Sequence, residues 1–446
     1  MYDIKGKKLL FIGASGHVGA AIQEANELGV YTIAVNYSKA AYGKRFAAMP
    51  AEVDTYVPDE VLEFARENKV DGVFTGWNEV NIFTAEYVAN KLGLPFYGTK
   101  AQADRLVTKK AFKDTCREFA VPVVPEYFCG SELTQEIIDT FEYPVIFKPT
   151  DSGGTRGMTI LYEYDESAVK EAYSKAMDAS IEKKIIVEKY LRDTKLIVMD
   201  FAVQNGEPYL VCVADRITVR ESEDRVPLGF CFMYPSVYID MVEGQVLESL
   251  KGLCKGIGLQ NCIISFEGMI SEGRLYVIET QFRYGGTHMD RFVRADSGVN
   301  LMQMSIEFAL TGNFDSWDLA KLANPRFKRT YSCVNLQMKP GRISSVSGRE
   351  EVEAMTGVDW FLQLKDIGDI APDDGSTARN FAKIGLSGNS RAEVYRLVDR
   401  IQHTLAVNDE NGSNMVIRNV PKELLSDGCM SGALDTGSGQ TERILK

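Results

Sequence analysis

The run Cys262-Ile263-Ile264-Ser265-Phe266-Glu267-Gly268-Met269-Ile270-Ser271, the turn Glu272-Gly273-Arg274, and the run Leu275-Tyr276-Val277-Ile278-Glu279-Thr280-Gln281-Phe282-Arg283 decide how this chain reads. Two β-rich segments around a short glycine turn predict a hairpin. Strand side chains alternate with period two, so Glu279, Gln281 and Arg283 project from one face. A three-residue loop, Glu272-Gly273-Arg274, sets Glu267 of the first strand directly opposite Glu279 of the second. Carboxylates placed as cross-strand neighbours repel, unless one holds a proton or a cation lies between them. Mg²⁺ resolves the conflict, because it takes carboxylate oxygens together with waters and substrate phosphates. The competing reading is a solvated hairpin face with scattered charge.

Working outward, Tyr143-Pro144-Val145-Ile146-Phe147-Lys148-Pro149 leads into Asp151-Ser152-Gly153-Gly154-Thr155-Arg156-Gly157-Met158. A lysine ending an apolar strand beside a glycine loop gives one small volume a cation and several open backbone N–H groups, which suits phosphate oxygens. It is not a Walker A loop, since a strand (Met158-Thr159-Ile160) rather than a helix follows. A third segment, Lys184-Ile185-Ile186-Val187-Glu188-Lys189-Tyr190-Leu191, is a strand that turns polar at Glu188. Backbone groups of Lys189 to Leu191 can read an adenine edge there, with Glu188 accepting from a ribose hydroxyl or the exocyclic amine.

At 446 residues the chain has room for about three compact units. Its net charge of −12 repels polyanions and argues against a nucleic-acid partner. Eight cysteines without a close pair fit free thiols in a reducing compartment. No apolar run reaches membrane length, and Met1 to Phe11 is too brief for a signal-peptide core, so the expectation is a cytoplasmic protein with no membrane partner. Residues 1–104 read as a parallel βα domain, with strands at 9–12, 32–35, 53–57 and 73–75. Its first turn, Gly13-Ala14-Ser15-Gly16-His17-Val18-Gly19, serves as a strand-to-helix turn or a substrate-facing loop; a dinucleotide site is disfavoured, because the second strand ends at Asn36 where an acid is needed. Residues 105–325 form a second domain, with a lid over about 120–190 and an antiparallel sheet over about 191–325. Asn324-Pro325 marks a boundary before a small α+β domain at 326–408. Residues 409–446 read as an extension whose Gly- and Ser-rich end frays.

In this order and spacing the three segments resemble the ATP-grasp superfamily, over nearly the whole chain. The resemblance implies a multidomain α/β and α+β architecture, an ATP-grasp fold behind an N-terminal pre-ATP-grasp βα domain. Lys109, ahead of Val121-Pro122, and Lys148 match the family's phosphate-contacting lysines. Ser152, Gly153, Gly154, Thr155 and Gly157 match its mobile glycine loop, and Glu188, Lys189, Tyr190 and Leu191 its adenine hinge. Glu267, Glu279 and Gln281 correspond to its Mg²⁺ ligands, with Mn²⁺ as the alternative ion, and Arg283 to the arginine near the transferred phosphoryl group. Gln281 departs from the usual Asn by one methylene.

Residues 151–157 and Arg283-Tyr284-Gly285-Gly286-Thr287-His288 look most like carboxylate–amine ligases related to the L-amino-acid ligases. The implied reaction is phosphoryl transfer from ATP to a small-molecule carboxylate, followed by attack of an amine on the acyl phosphate. Arg283, Lys148 and His288 are then the catalytic candidates, and a homodimer is the commonest assembly. Rival readings are a bicarbonate-using carboxylase or carbamoyl-phosphate-type enzyme, and a non-catalytic nucleotide-binding regulator. His288 reads as orienting substrate or as base for the amine, and equally well as a helix cap or a hydrogen-bond partner of the backbone beside Gly285-Gly286; Arg216 reads as a substrate contact or a surface salt bridge.

Overall fold

The computed structural model describes residues 2–150, 157–219, 228–373, 377–418 and 420. Ser152, Gly153, Gly154 and Thr155 of the glycine loop lie outside the described residues, as does the C-terminal stretch expected to fray. Strands β1 (Lys8–Ile12), β2 (Tyr31–Val35), β3 (Met49–Ala51) and β4 (Gly72–Phe74) form a parallel sheet in the order β3-β2-β1-β4. The third strand thus falls at Met49–Ala51, not at 53–57. Its edge position tolerates Pro50. Residues 53–57 instead approach a helix opening at Pro58, with Asp54 accepting from the Tyr56 N–H at 2.9 Å.

Strands β5 (Glu126–Gly130), β6 (Val145–Pro149), β7 (Thr159–Leu161) and β8 (Ile185–Lys189) make a separate antiparallel sheet, ordered β5-β8-β6-β7. The helix Glu166–Ala179 closes it, burying Val169, Ala172 and Ala176 on Val145, Phe147, Ile185 and Val187. Residues 239–256 form two helices, Ile239–Gln245 and Leu247–Gly256, broken at Val246. Gly244 weakens helix propensity just before the break.

The largest sheet has eight antiparallel strands: β9 (Lys195–Gln204), β10 (Glu207–Val219), β11 (Leu228–Tyr234), β12 (Cys262–Ser271), β13 (Arg274–Gln281), β14 (Thr330–Gln337), β17 (Val358–Gln363) and β19 (Asn380–Gly388). Its order is β13-β12-β9-β10-β11-β14-β19-β17, so strands from both sides of Asn324-Pro325 share one ladder. Two small ribbons, β15 (Gly341–Arg342) with β18 (Ile370–Ala371) and β16 (Ser345–Ser347) with β20 (Ala406–Asn408), flank it.

The hairpin differs instructively from its expected form. Its loop is two residues, Glu272 (φ 50°) and Gly273 (φ 75°), both in the left-handed region that a tight hairpin turn requires. Ser271 pairs with Arg274, a register that alone would put Glu267 opposite Ile278 and turn Glu279 to the other face. A β-bulge takes up Ile278 as an extra residue and restores Glu267 opposite Glu279 and Ser265 opposite Gln281.

Behind this face Asp200 of β9 is fully buried, accepting from the Ser265 hydroxyl and from Cys212 Sγ at 3.3 Å. Burial pushes its carboxyl up to about 6. A folded-state value above the unfolded one means that stability contributed by the proton is present at low pH and is lost as pH rises through about 6. Asp200→Asn, which carries no such charge, is expected to gain in melting temperature relative to the parent as pH goes from 4.5 to 8. Calorimetry giving a pH-independent difference would refute this.

Candidate active site

The hairpin face is linked by hydrogen bonds to its surroundings. Glu267 is buried and pairs through Oε2 with Arg216 of β10. Gln281 Nε2 donates to Glu267 Oε1 at 3.1 Å, and Gln281 Oε1 accepts from Arg283 Nη1 at 3.2 Å. Arg283 also donates through Nε to Glu79 Oε1 at 2.7 Å, with Nη2 on the same oxygen, which ties it to the N-terminal helix Glu79–Leu92. Glu279 is exposed. The salt bridge of Arg216 is thus partly buried rather than a surface one. Arg216 sits opposite Leu196, which sits opposite Met269, so it reaches Glu267 diagonally across β9, a contact no linear spacing reveals.

The lysine side repeats the same electrostatic problem. Register sets Glu126 of β5 opposite Glu188 of β8, a second pair of carboxylates on neighbouring strands. Lys113 Nζ contacts Glu188 Oε1 and lies 3.4 Å from Glu126 Oε2; Arg117 lies 3.3 Å from Glu126 Oε1, and Lys148 Nζ 2.6 Å from Glu188 Oε2. Five charges thus alternate in sign from Arg117 to Lys148. Burial holds the Lys113 ammonium below its usual range. Sequence reading missed Lys113, although Lys113 and Arg117 lie four residues apart on the helix Lys109–Glu118 and so share a face. Lys109 begins that helix, behind the N-cap Thr108.

The same helix stacks Phe112 on Phe266 of β12 at 6.2 Å, and the Val277 N–H donates to Pro122 O at 2.7 Å. The lysine set and the hairpin set are thereby joined. The hinge is narrower than expected: the N–H groups of Lys189 and Tyr190 already donate to Pro125 O (2.9 Å) and Pro144 O (2.8 Å). Gly157 has φ 78°, and a β-carbon there would stand 2.4 Å from that of Ala179, so only glycine fits where the chain leaves the loop.

His288 is 1% exposed and occupies the position before the helix Met289–Ser297 with φ 51°, but its side chain caps nothing. The helix-cap reading is therefore wrong. Its Nε2 lies 2.8 Å from Nδ1 of His17, a residue delivered by the N-terminal glycine turn. Burial lowers both imidazoles well below their usual range, leaving them neutral. Among the described residues no three His, Cys, Asp or Glu side chains gather as a metal cage; the hairpin offers two carboxylates and one amide.

Residues 108–314 match the family model described as the carbamoyl-phosphate synthase L chain, ATP binding domain. The fold matches phosphoribosylglycinamide synthetase from Anaerococcus prevotii with a TM-score of 0.74 at 18% identity, over 91% of this chain and all of that one. The fold is the ATP-grasp fold, and the family match lies within residues 108–314. L-amino acid ligase from Bacillus licheniformis shares the ATP-grasp fold too, at a TM-score of 0.69 and 18% identity, over 91% of this chain and 100% of that one. Among curated proteins, pyruvate carboxylase of Bacillus subtilis is 27% identical over 325 residues, covering 67% of this chain. The large chain of carbamoyl phosphate synthase from Corynebacterium glutamicum is 27% identical over 223 residues, covering 49%. The matches span only 27% and 19% of those two longer proteins.

Lys113→Met leaves the buried Glu188 and the partly buried Glu126 each short of a partner. It is expected to lower unfolding free energy by about 1–3 kcal/mol, and Lys113→Met with Glu126→Gln to recover part of that loss. Denaturant titration of the two variants checks both statements.

Proposed function

We propose that the chain is an ATP-dependent ligase that joins a carboxylate substrate, an amino acid or related acid, to an amine through an acyl phosphate. The observation that carries this reading is the register pairing Glu267 with Glu279, with Gln281 and Arg283 on the same face. Two paired carboxylates and an amide oxygen fit a hard cation that completes its shell with waters and phosphate oxygens. Glu267, Glu279 and Gln281 are the residues that would hold Mg²⁺. When bound, the ion supplies neutralisation of phosphate charge.

The chain's own residues divide the remaining work. Lys148, at the mouth of the glycine loop, and Lys109, at the start of its helix, hold phosphate oxygens. Glu188, already balanced by Lys113, stays neutralised when Lys148 turns to a phosphate. With the Lys189 and Tyr190 amides engaged, the Leu191 peptide is the hinge N–H assigned to the purine. Arg283 aligns the transferring phosphoryl group with the acceptor carboxylate. Phosphorylation gives an otherwise poor electrophile a leaving group; the amine then attacks the acyl carbon and phosphate departs. The demands on the protein are alignment and charge neutralisation, with no covalent enzyme intermediate.

A second reading takes bicarbonate as the phosphoryl acceptor, favoured by the carboxylase and carbamoyl phosphate synthase relatives. ADP release measured against a matrix of amino acids and amines, with a bicarbonate arm and product identification by mass, separates the two. A ligated amide supports the ligase; turnover with bicarbonate alone supports the second reading. Lys148→Ala and Arg283→Ala are each expected to lower kcat by roughly 10²-fold or more, the scale for losing a preorganised electrostatic donor. Near-normal ADP formation by either variant would remove that residue from the mechanism.

A further inference from the structure

Two of the chain's three histidines and two of its three tryptophans converge beside Arg283, although they come from four distant segments. His17 and His288 share a hydrogen bond, with ring centroids 5.0 Å apart. Trp77 packs against both, at 6.2 and 5.6 Å, and Trp360 meets the His288 ring at 5.6 Å. Trp77 and His288 both hold positive φ, 65° and 51°, a strained state for bulky residues that is retained where the surroundings impose it. The Trp77 indole N–H donates to Gly285 O at 2.9 Å and Lys383 Nζ donates to Gly286 O, so the glycine pair after Arg283 is pinned from two sides. The buried indole N–H of Trp360 has no hydrogen-bond partner among the described residues.

The two rings are not equivalent. His288 is enclosed, whereas His17 is partly exposed, and the bond consumes His17 Nδ1 while leaving His17 Nε2 outward. A β-carbon on Gly286 would stand 4.0 Å from that Nε2 and 3.2 Å from Lys383 Nζ, so the absent side chain leaves a nook between an imidazole nitrogen and an ammonium. The charged groups facing the pair are Lys383 from β19, Arg283 at the end of the hairpin, itself tied to Glu79, and Arg291 from the helix Met289–Ser297. Three cations disfavour an imidazolium, attract a carboxylate, and disfavour an amine arriving as its ammonium form.

We propose that His17 is the base that takes the proton from the attacking amine, and that His288 is a positioning residue that fixes its tautomer. The inference rests on the ligase reading and goes beyond it by assigning the second half-reaction. His17 Nδ1–H donates to His288 Nε2, so Nε2 of His17 carries the lone pair. The amine arrives neutral; as it forms the C–N bond to the acyl carbon its proton passes to Nε2, the C–O bond to phosphate breaks, and phosphate leaves with its electron pair and takes that proton from the imidazolium. Phosphorylation of the carboxylate needs no base and does not use the pair.

Two measurements on the full chain test this. With histidine labelled at Cε1, NMR between pH 4.5 and 9 reads three imidazoles. His17 and His288 are expected to stay neutral to pH values well below the usual imidazole range, and His288→Gln to shift the His17 signal. Independent titration of His17 and His288 overturns the pair. The second measurement uses hydroxylamine, a nucleophile that traps acyl phosphates as hydroxamates, with the acid that supports ADP release.

His17→Asn retains a group at the Nδ1 position and removes Nε2. It is expected to keep hydroxamate formation within about threefold while amide formation falls by about 10²-fold or more. His288→Gln, which keeps an acceptor for His17, should retain most of the amide rate with a displaced pH profile, and His288→Leu should lose it. Equal loss of hydroxamate and amide in His17→Asn, or loss of neither, overturns the assignment while leaving the ligase reading intact. Absence of hydroxamate from the parent protein with every acid overturns the ligase reading itself, and this inference with it.

Discussion

Like charges on neighbouring strands set the terms for the whole molecule. Glu267 and Glu279 are held opposite one another by backbone register, which keeps two like charges on one face. Glu126 and Glu188 repeat the arrangement in the smaller sheet. Each pair requires positive charge brought from another element: Arg216 from β10 in the first case, and Lys113, Arg117 and Lys148 in the second. A carboxylate that keeps a cation in reserve loses less when a neighbouring cation turns toward a phosphate, because breaking one contact does not strand a buried charge.

The same logic explains why the N-terminal sheet belongs to the site. Arg283 is fastened by Glu79, Gly285 by Trp77 and His288 by His17, all three from the first hundred residues. These contacts fix a loop that contains two consecutive glycines and would otherwise be costly to order. The parallel βα unit thereby orients the residues that follow the hairpin, and contributes an imidazole of its own.

Much of this was legible before any coordinates, for identifiable reasons. Period-two alternation and a glycine turn gave the hairpin and its acidic face, and the pairing of Glu267 with Glu279 was right although the loop length was not. The shorter turn and the bulge at Ile278 offset one another by a single residue. The third strand was read at 53–57 from the apolar residues there, whereas the chain pairs at Met49–Ala51, where the sheet edge tolerates Pro50. Arg216 and Lys113 escaped because their partners are set by sheet order and by helix-to-sheet packing, neither of which linear spacing encodes. His17 escaped because its glycine turn was weighed for backbone geometry, while its role depends on a partner 271 residues away.

The continuous ladder from β13 to β17 also governs where motion can occur. Four residue pairs, from Cys231↔Val334 to Tyr234↔Tyr331, bond the strands that lie on either side of Asn324-Pro325. Bending there would rupture backbone bonds, so the C-terminal strands move with the main sheet as one plate. The four strands from β5 to β8 share no ladder with that plate. Their attachments are ion pairs and the chain around Pro122, whose carbonyl bonds Val277. The alternating charges from Arg117 to Lys148, together with that proline-flanked stretch, therefore link the lesser sheet to the helix that packs on the larger one.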